Sequence, residues 1–259
     1  PISASEDPPG VALGYSSSFL AKFNIGSTWE SIGCNDQSAL NYDSNAAFDD
    51  GSCEYYSGPN FYVENNGNDI AGTGNSSAPF QTIQRALDFP SISEGDTIYV
   101  GAGDYSESIL WPNISNIHLI GAGTDSSEGT ILKGSGLNTP SIYTLDNYWV
   151  ADEEFKISIS GLYIDGENSN YTGIDFSSLN VDEDYVDPDF PWLSNTSGIS
   201  ISFEDMLVEN HLGNGIIAGR TSMGIDRSII RNNGNSGIQS DGSIGLEDTE
   251  ISHCDNGIW

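Results

Sequence analysis

With 259 residues and a formal net charge of −31, from 38 acidic against seven basic side chains, the chain is a poor partner for nucleic acid, anionic membranes or polyuronates unless cations bridge the contact. Thirty glycines among plentiful Asn, Asp and Ser point to a turn-dense β protein rather than a disordered one. No run approaches the ~18 apolar residues of a membrane-spanning helix, so direct membrane insertion is not expected.

Residues 1–32 carry Pro8-Pro9, a Ser-rich stretch and a short apolar segment at 19–25, and read as a linker or edge segment. A chain beginning at Pro1 reads as a mature or partial product. Residues 33–57 form a cysteine-bracketed, Asp-rich module. Cys34 and Cys53 enclose a loop with no hydrophobic core of its own, which predicts a disulfide between them contributing ~3 kcal/mol. Cys254 is then left free or paired with a coil outside this sequence. Asp36, Asp43, Asn45, Asp49 and Asp50 crowd this loop, and Asp, Asn and carbonyl oxygens are what Ca2+ takes as ligands. The competing reading is a set of Asx-turns.

From residue 58 to 259 the pattern changes to repeated short strands. A strand at 59–63 precedes a Gly/Asn loop. A helix follows at 80–87, with Ser77 as N-cap, Pro79 in its first turn and Phe80, Ile83 and Leu87 on one face. Strands are expected at 97–100, 117–120, 130–133, 142–145, 157–164 and 199–203. Residues 157–160 and 199–203 alternate apolar and Ser with period two, the mark of a half-buried strand. Residues 180–196 break the rhythm with five acids, two prolines and three aromatics. Asp182, Glu183, Asp184, Asp187 and Asp189 offer a second cation candidate. Tyr185, Phe190 and Trp192 are glycan-stacking candidates, unless they fold back to pack the excursion.

The last sixty residues repeat one phrase. Asp205, Asp226 and Glu247 open it and Ile216, Ile238 and Ile258 close it, at a period suited to one rung of a β-solenoid. Asn210 and Asn232, with Ser252 in the next place, predict a ladder at a tight turn. Trp259 falls where a rung should continue. Sequons at Asn75, Asn113, Asn170 and Asn195 are glycosylation candidates. With the disulfide they point outside the cell or to its surface.

Residues 66–89, followed by 95–109 and 116–123, resemble the N-terminal portion of the pectate-lyase-like parallel β-helix superfamily. Thr82, Ile83 and Ala86 match its Thr-Ile-x-x-Ala helix. The resemblance implies an all-β, right-handed parallel β-helix whose helix caps the open end of the stack. Residues 33–55 resemble a short module of large secreted marine bacterial proteins, through Cys34, Asn41-Tyr42-Asp43, Ala46 and Asp49-Asp50-Gly51-Ser52-Cys53.

The superfamily holds enzymes and adhesins alike. Its lyases use an Arg or Lys base with calcium, and here only Arg220, Arg227 and Arg231 cluster in the rungs. The Asn-Thr-Asp, Asp-Asp and Gly-His-Gly pattern of its glycosidases is absent from them. His118, His211 and His253 show no metal spacing. The expectation is therefore a structural or adhesive protein, calcium-stabilised, whose partners are copies of itself, cell-surface components or glycans, and not nucleic acid. A polysaccharide lyase, a glycoside hydrolase or a non-catalytic glycan-binding module is the alternative. No catalytic residue is assigned.

Overall fold

The computed structural model describes residues 23–24, 29–136, 138–145, 148–150, 155–181 and 198–259. The chain divides into two compact units between Tyr55 and Tyr56. In the first, β1 (Phe23–Asn24) pairs antiparallel with β2 (Trp29–Ile32), and β2 pairs parallel with β3 (Ala46–Phe48). The remaining loop is tied by a Cys34–Cys53 disulfide with its Cα atoms 4.8 Å apart. Buried Cys34, Ser38 and Ala39 are the small core that this staple encloses.

The second unit is a parallel β-helix. It opens with β4 (Asn60–Val63) and α1 (Ile83–Leu87). Rungs of three strands follow: β5 (Thr97–Val100), β6 (Gly103–Ser106), β7 (Ile109–Leu110); then β8 (Ile117–Ile120), β9 (Thr130–Lys133), β10 (Ile142–Tyr143). After β11 (Tyr148–Val150) come β12 (Phe155–Ser160), β13 (Leu162–Asp165), β14 (Ile174–Phe176) and β15 (Leu179–Val181). The last three rungs are β16 (Ile199–Glu204), β17 (Leu207–Glu209), β18 (Ile216–Ala218); β19 (Ser222–Asp226), β20 (Ile229–Arg231), β21 (Ser236–Ser240); and β22 (Ser243–Glu247), β23 (Glu250–Ser252), β24 (Asn256–Ile258).

Corresponding strands stack into three parallel sheets, ordered β4-β5-β8-β12-β16-β19-β22, β6-β9-β13-β17-β20-β23 and β7-β10-β14-β18-β21-β24. Register follows from burial, because a one-residue slip would turn every apolar side chain outward. The third sheet shows this most simply. Ile109, Ile142, Ile174, Ile216 and Ile238 stand in one register column, each at most 1% exposed. Burying each contributes about 2 kcal/mol. Ile258 continues the column on β24, where no rung stacks above it, and is 49% exposed. Burial in this fold comes from the neighbouring rung.

Sharp corners join the first and second sheets. Gly161, Asp205, Arg227 and Asp248 occupy that corner with positive φ in four successive rungs. The 157–164 strand of the sequence reading is therefore two strands, bent at Gly161, where φ is +67°. The next corner holds Asn210, Asn232 and His253, also at positive φ. His253, not Ser252, takes the third place, because Ser252 pairs in register with Arg231. Likewise Glu204, Asp226 and Glu247 share a column, and Asp205 aligns with Arg227.

The helix is shorter than 80–87. Phe80 instead runs beside β4, donating its N–H to Tyr62 O at 3.0 Å and accepting from Glu64 N at 2.9 Å. Gly67 permits this approach; a Cβ there would stand 2.1 Å from Phe80 O. The N-cap is Thr82 rather than Ser77, its hydroxyl accepting from Arg85 N at 3.2 Å. Among the described residues no helix is long and apolar enough to cross a membrane.

Candidate functional site

In the first unit each acidic side chain proposed as a metal ligand caps a turn. Asp36 Oδ1 accepts from Ser38 N and Oγ, and its Oδ2 accepts from Tyr55 OH at 2.8 Å. Asp43 Oδ1 accepts from Asn45 N at 2.8 Å and Nδ2 at 3.0 Å. Asp49 and Asp50 accept from Gly51 N and Ser52 N, and the Ser52 bonds hold the Asp50 carboxyl below the ordinary range. These are the Asx-turns that compete with calcium in the sequence. Both oxygens of Asp36 are engaged in hydrogen bonds. Asp43, Asp49 and Asp50 accept these backbone bonds through Oδ1, and among the described residues no three acidic, His or Cys side chains stand together as a metal-binding group.

The densest polar cluster lies on the outer face of the second sheet. Tyr105, Leu132, Ile164, Val208 and Ile230 point into the core there. Alternation then sends Lys133, Asp165, Glu209 and Arg231 outward in one column and Tyr163 outward in the other. Glu209 is 7% exposed although charged. Its Oε1 accepts from Tyr163 OH at 2.7 Å and its Oε2 from Arg231 Nε at 2.6 Å. Two rungs away, Lys133 Nζ lies 3.1 Å from Asp104 and 3.0 Å from Glu167. Asn210 Nδ2 donates to Asp165 Oδ1 at 3.0 Å.

Three groups on this face are shifted away from neutrality. Burial, then the Glu209 hydrogen bond, pushes the Tyr163 phenol well above its ordinary range. Glu209 holds Arg231 more firmly cationic, and Glu167 with Asp104 does the same for Lys133. A general base works best with a pKa near the working pH, and these shifts move the three groups away from it. Each bond in the cluster instead joins one rung to another.

Arg227 behaves similarly at the corner, where its guanidinium contacts Glu204, Asp205 and Asp226. Those three carboxylates compensate one cation in an otherwise unfavourable left-handed backbone position. Arg220 precedes β19 and Arg227 follows it, so the two stand at opposite ends of that strand. Beside the Asn corner runs an inner polar column. His211 Nδ1 meets Asn233 Oδ1 at 3.0 Å, and Asn233 Nδ2 lies 3.9 Å from the free Cys254 thiol.

The sequons separate by burial. Asn113 is exposed and Asn75 half-buried, its Oδ1 accepting from Ser77 and Ala78. Asn170 is 2% exposed and donates Nδ2 to Ser141 Oγ at 3.1 Å, a bond that a sugar on that nitrogen would disturb. Asn195, the 180–196 acids and Tyr185, Phe190 and Trp192 lie outside the described residues, apart from the backbone of 180–181. Tyr163 and Glu209 were missed in the sequence because their pairing spans 46 positions; rung-by-rung alignment is the signal that finds such pairs.

At the N-terminal end of the second unit a further set of polar side chains meets around α1. Asp69 accepts from Gln81 N, Thr82 N and Thr82 Oγ1. Glu107 accepts from Ile83 N and Gln84 N, and burial raises its carboxyl pKa. No curated protein matches this chain. Residues 65–110, which contain Asp69, Gln84 and Glu107, match a family described as a protein of unknown function (DUF1565), one associated with parallel β-helix proteins.

Proposed function

We propose that this chain is an extracellular structural or adhesive β-helix, a surface or filament component whose partners are copies of itself or cell-surface molecules. The observation that carries this reading is the use of charge. Arg227, Arg231 and Lys133 each bind carboxylates of neighbouring rungs, so cations that a polyuronate lyase would aim at its substrate hold the stack together. The Cys34–Cys53 bond supports an oxidising compartment. The acidic surplus supports a solvated surface in salty surroundings. Divalent cations bridging Asp43, Asp49 and Asp50 would stabilise the first unit by mass action.

Fractionating the native cell with an antibody to the chain tests this. Recovery in the surface or secreted fraction with Cys34 and Cys53 oxidised supports it; a cytoplasmic, reduced pool overturns it. Melting with millimolar calcium against chelator tests the cation separately, and an unshifted first-unit transition removes it.

One observation favours a second reading, binding of a neutral glycan without turnover. Tyr171 is 54% exposed, and its ring lies against Gly213, two ring atoms within 2.8 Å of where a Cβ would stand. An aromatic ring backed by bare backbone is a stacking platform that repels no neutral sugar. Glycan binding lost on Tyr171→Ala, with melting unchanged, would support it.

A further inference from the structure

His211 sits in the wall between two rungs and is 2% exposed. Asn233 Oδ1 accepts from both His211 N, at 3.2 Å, and the ring Nδ1, at 3.0 Å, while Asn233 Nδ2 faces Val208 O. An amide oxygen only accepts, so Nδ1 carries the proton and Nε2 keeps its lone pair. Nε2 is buried without a hydrogen-bond partner. Its ring neighbours show where it faces. Cδ2 lies 2.8 Å from where a Cβ on Gly166 would stand, and Cε1 lies 3.0 Å from that of Gly173. Nε2 therefore points at the backbone of the turn between β13 and β14.

That turn is clasped to the His211 segment by main-chain bonds. Gly166 N donates to Glu209 O, Asn168 N to Asn210 O, Leu212 N to Asn170 O and Gly213 N to Tyr171 O, all within 2.7–2.9 Å. The turn also holds two non-glycine residues at positive φ, Glu167 and Asn168. The titratable groups facing the ring are Asp165 at the end of β13 and Glu209 in β17. Beyond them are Tyr163 and Arg231, both bound to Glu209, and Cys254 on the far side of Asn233.

We infer that His211 is an acid-operated latch: in its neutral form it closes the 166–173 turn onto the following rung, and a proton on Nε2 releases that turn. A protonated Nε2 is a donor with no acceptor in a dry site, and the nearest compensation lies outside it, at Asp165 and Glu209. The ring has to leave to reach either carboxylate, and the turn that encloses it has to open. Burial pushes the imidazole down to about 4; the Asn233 bond and the two carboxylates pull upward and do not offset it. An open turn takes up its proton near the ordinary value of about 6.5. Closure is therefore complete above that value and weakens as pH falls towards 4. The latch stands on this turn alone and is independent of any adhesive role.

The test is amide hydrogen exchange on the full chain, at neutral pH and at about pH 4.5, corrected for intrinsic rates. Protection of Asn168, Leu212 and Gly213 should fall about tenfold or more in acid. The His118 and Gly121 amides, bonded to Asp96 O and Ser160 O, are the reference and should not follow. In His211→Asn the acid-dependent loss should disappear. Equal protection at both pH values in the wild type, loss shared by the reference amides, or the same loss in the variant overturns the latch. Should the variant fail to fold, nitrogen shifts of the wild-type imidazole followed alongside exchange decide: opening of the turn that coincides with protonation supports the latch, and protonation without opening overturns it.

Discussion

Gln84 and Leu110 are joined twice. The Gln84 Oε1 accepts from Leu110 N at 2.7 Å, and its Nε2 donates to Leu110 O at 3.2 Å. Leu110 ends β7, the terminal strand of the third sheet, whose N–H and C=O groups would otherwise face no neighbour. A side-chain amide offers the same donor and acceptor as a peptide group, so Gln84 stands in for one residue of a missing strand. On the first sheet the segment around Gly74 and Phe80 does likewise for β4, since Tyr62 N donates to Gly74 O at 2.8 Å. The two contacts occupy strand-edge groups of the kind that can template association.

Replacing Gln84→Met keeps the bulk and removes both bonds. The expected cost is about 1–2 kcal/mol, measured by urea denaturation. Dimers or larger species should also appear on sizing columns. An unchanged midpoint and a monomeric profile would show that the edge needs no surrogate.

Arg231→Met should destabilise the second unit by about 2 kcal/mol, because it leaves a nearly buried Glu209 carboxylate with one hydrogen bond fewer. Adding Glu209→Gln should recover most of that loss, since the pair matters chiefly as mutual compensation. Equal losses in the single and double variants would contradict this.

Cys34→Ser combined with Cys53→Ser should cost the first unit about 3 kcal/mol through the freed loop. The measurement is protease sensitivity of residues 33–55 with and without reductant. Resistance unchanged by either treatment would mean that the Asx-turns suffice alone.

Expressed in a glycosylating host, the chain should carry sugar on Asn113 and none on Asn170. Peptide mapping reads this directly. Occupancy at Asn170 would contradict the burial of that side chain in the folded chain.

The parts of this fold visible in the sequence are those where one position decides. Ile216, Ile238 and Ile258 recur at nearly rung spacing, and their column is the wall of the core. Cys34 and Cys53 bracket a loop too polar to pack otherwise. Corners were harder, because rungs differ by one residue in length. Aligning Asp205 with Asp226 is off by one, and only the strand register places Arg227 beside it. Helix α1 was overextended because Pro79 and Phe80 obey helix-start rules locally, while Gly67 and Tyr62 draw Phe80 into a strand-like bridge. The polar cluster around Glu209 joins three rungs, so no local window could contain it.

Lys133, Arg227 and Arg231 bind carboxylates of the solenoid's own rungs, which we propose leaves them unavailable to a substrate. Incubating the full chain with pectate, alginate, a neutral β-glucan and a galactan, in calcium, and scoring new reducing and unsaturated ends tests it most directly. No new ends are expected with any of the four. Turnover by the wild type that vanishes in Arg231→Met or Arg220→Ala, while the melting curve stays in place, would contradict it.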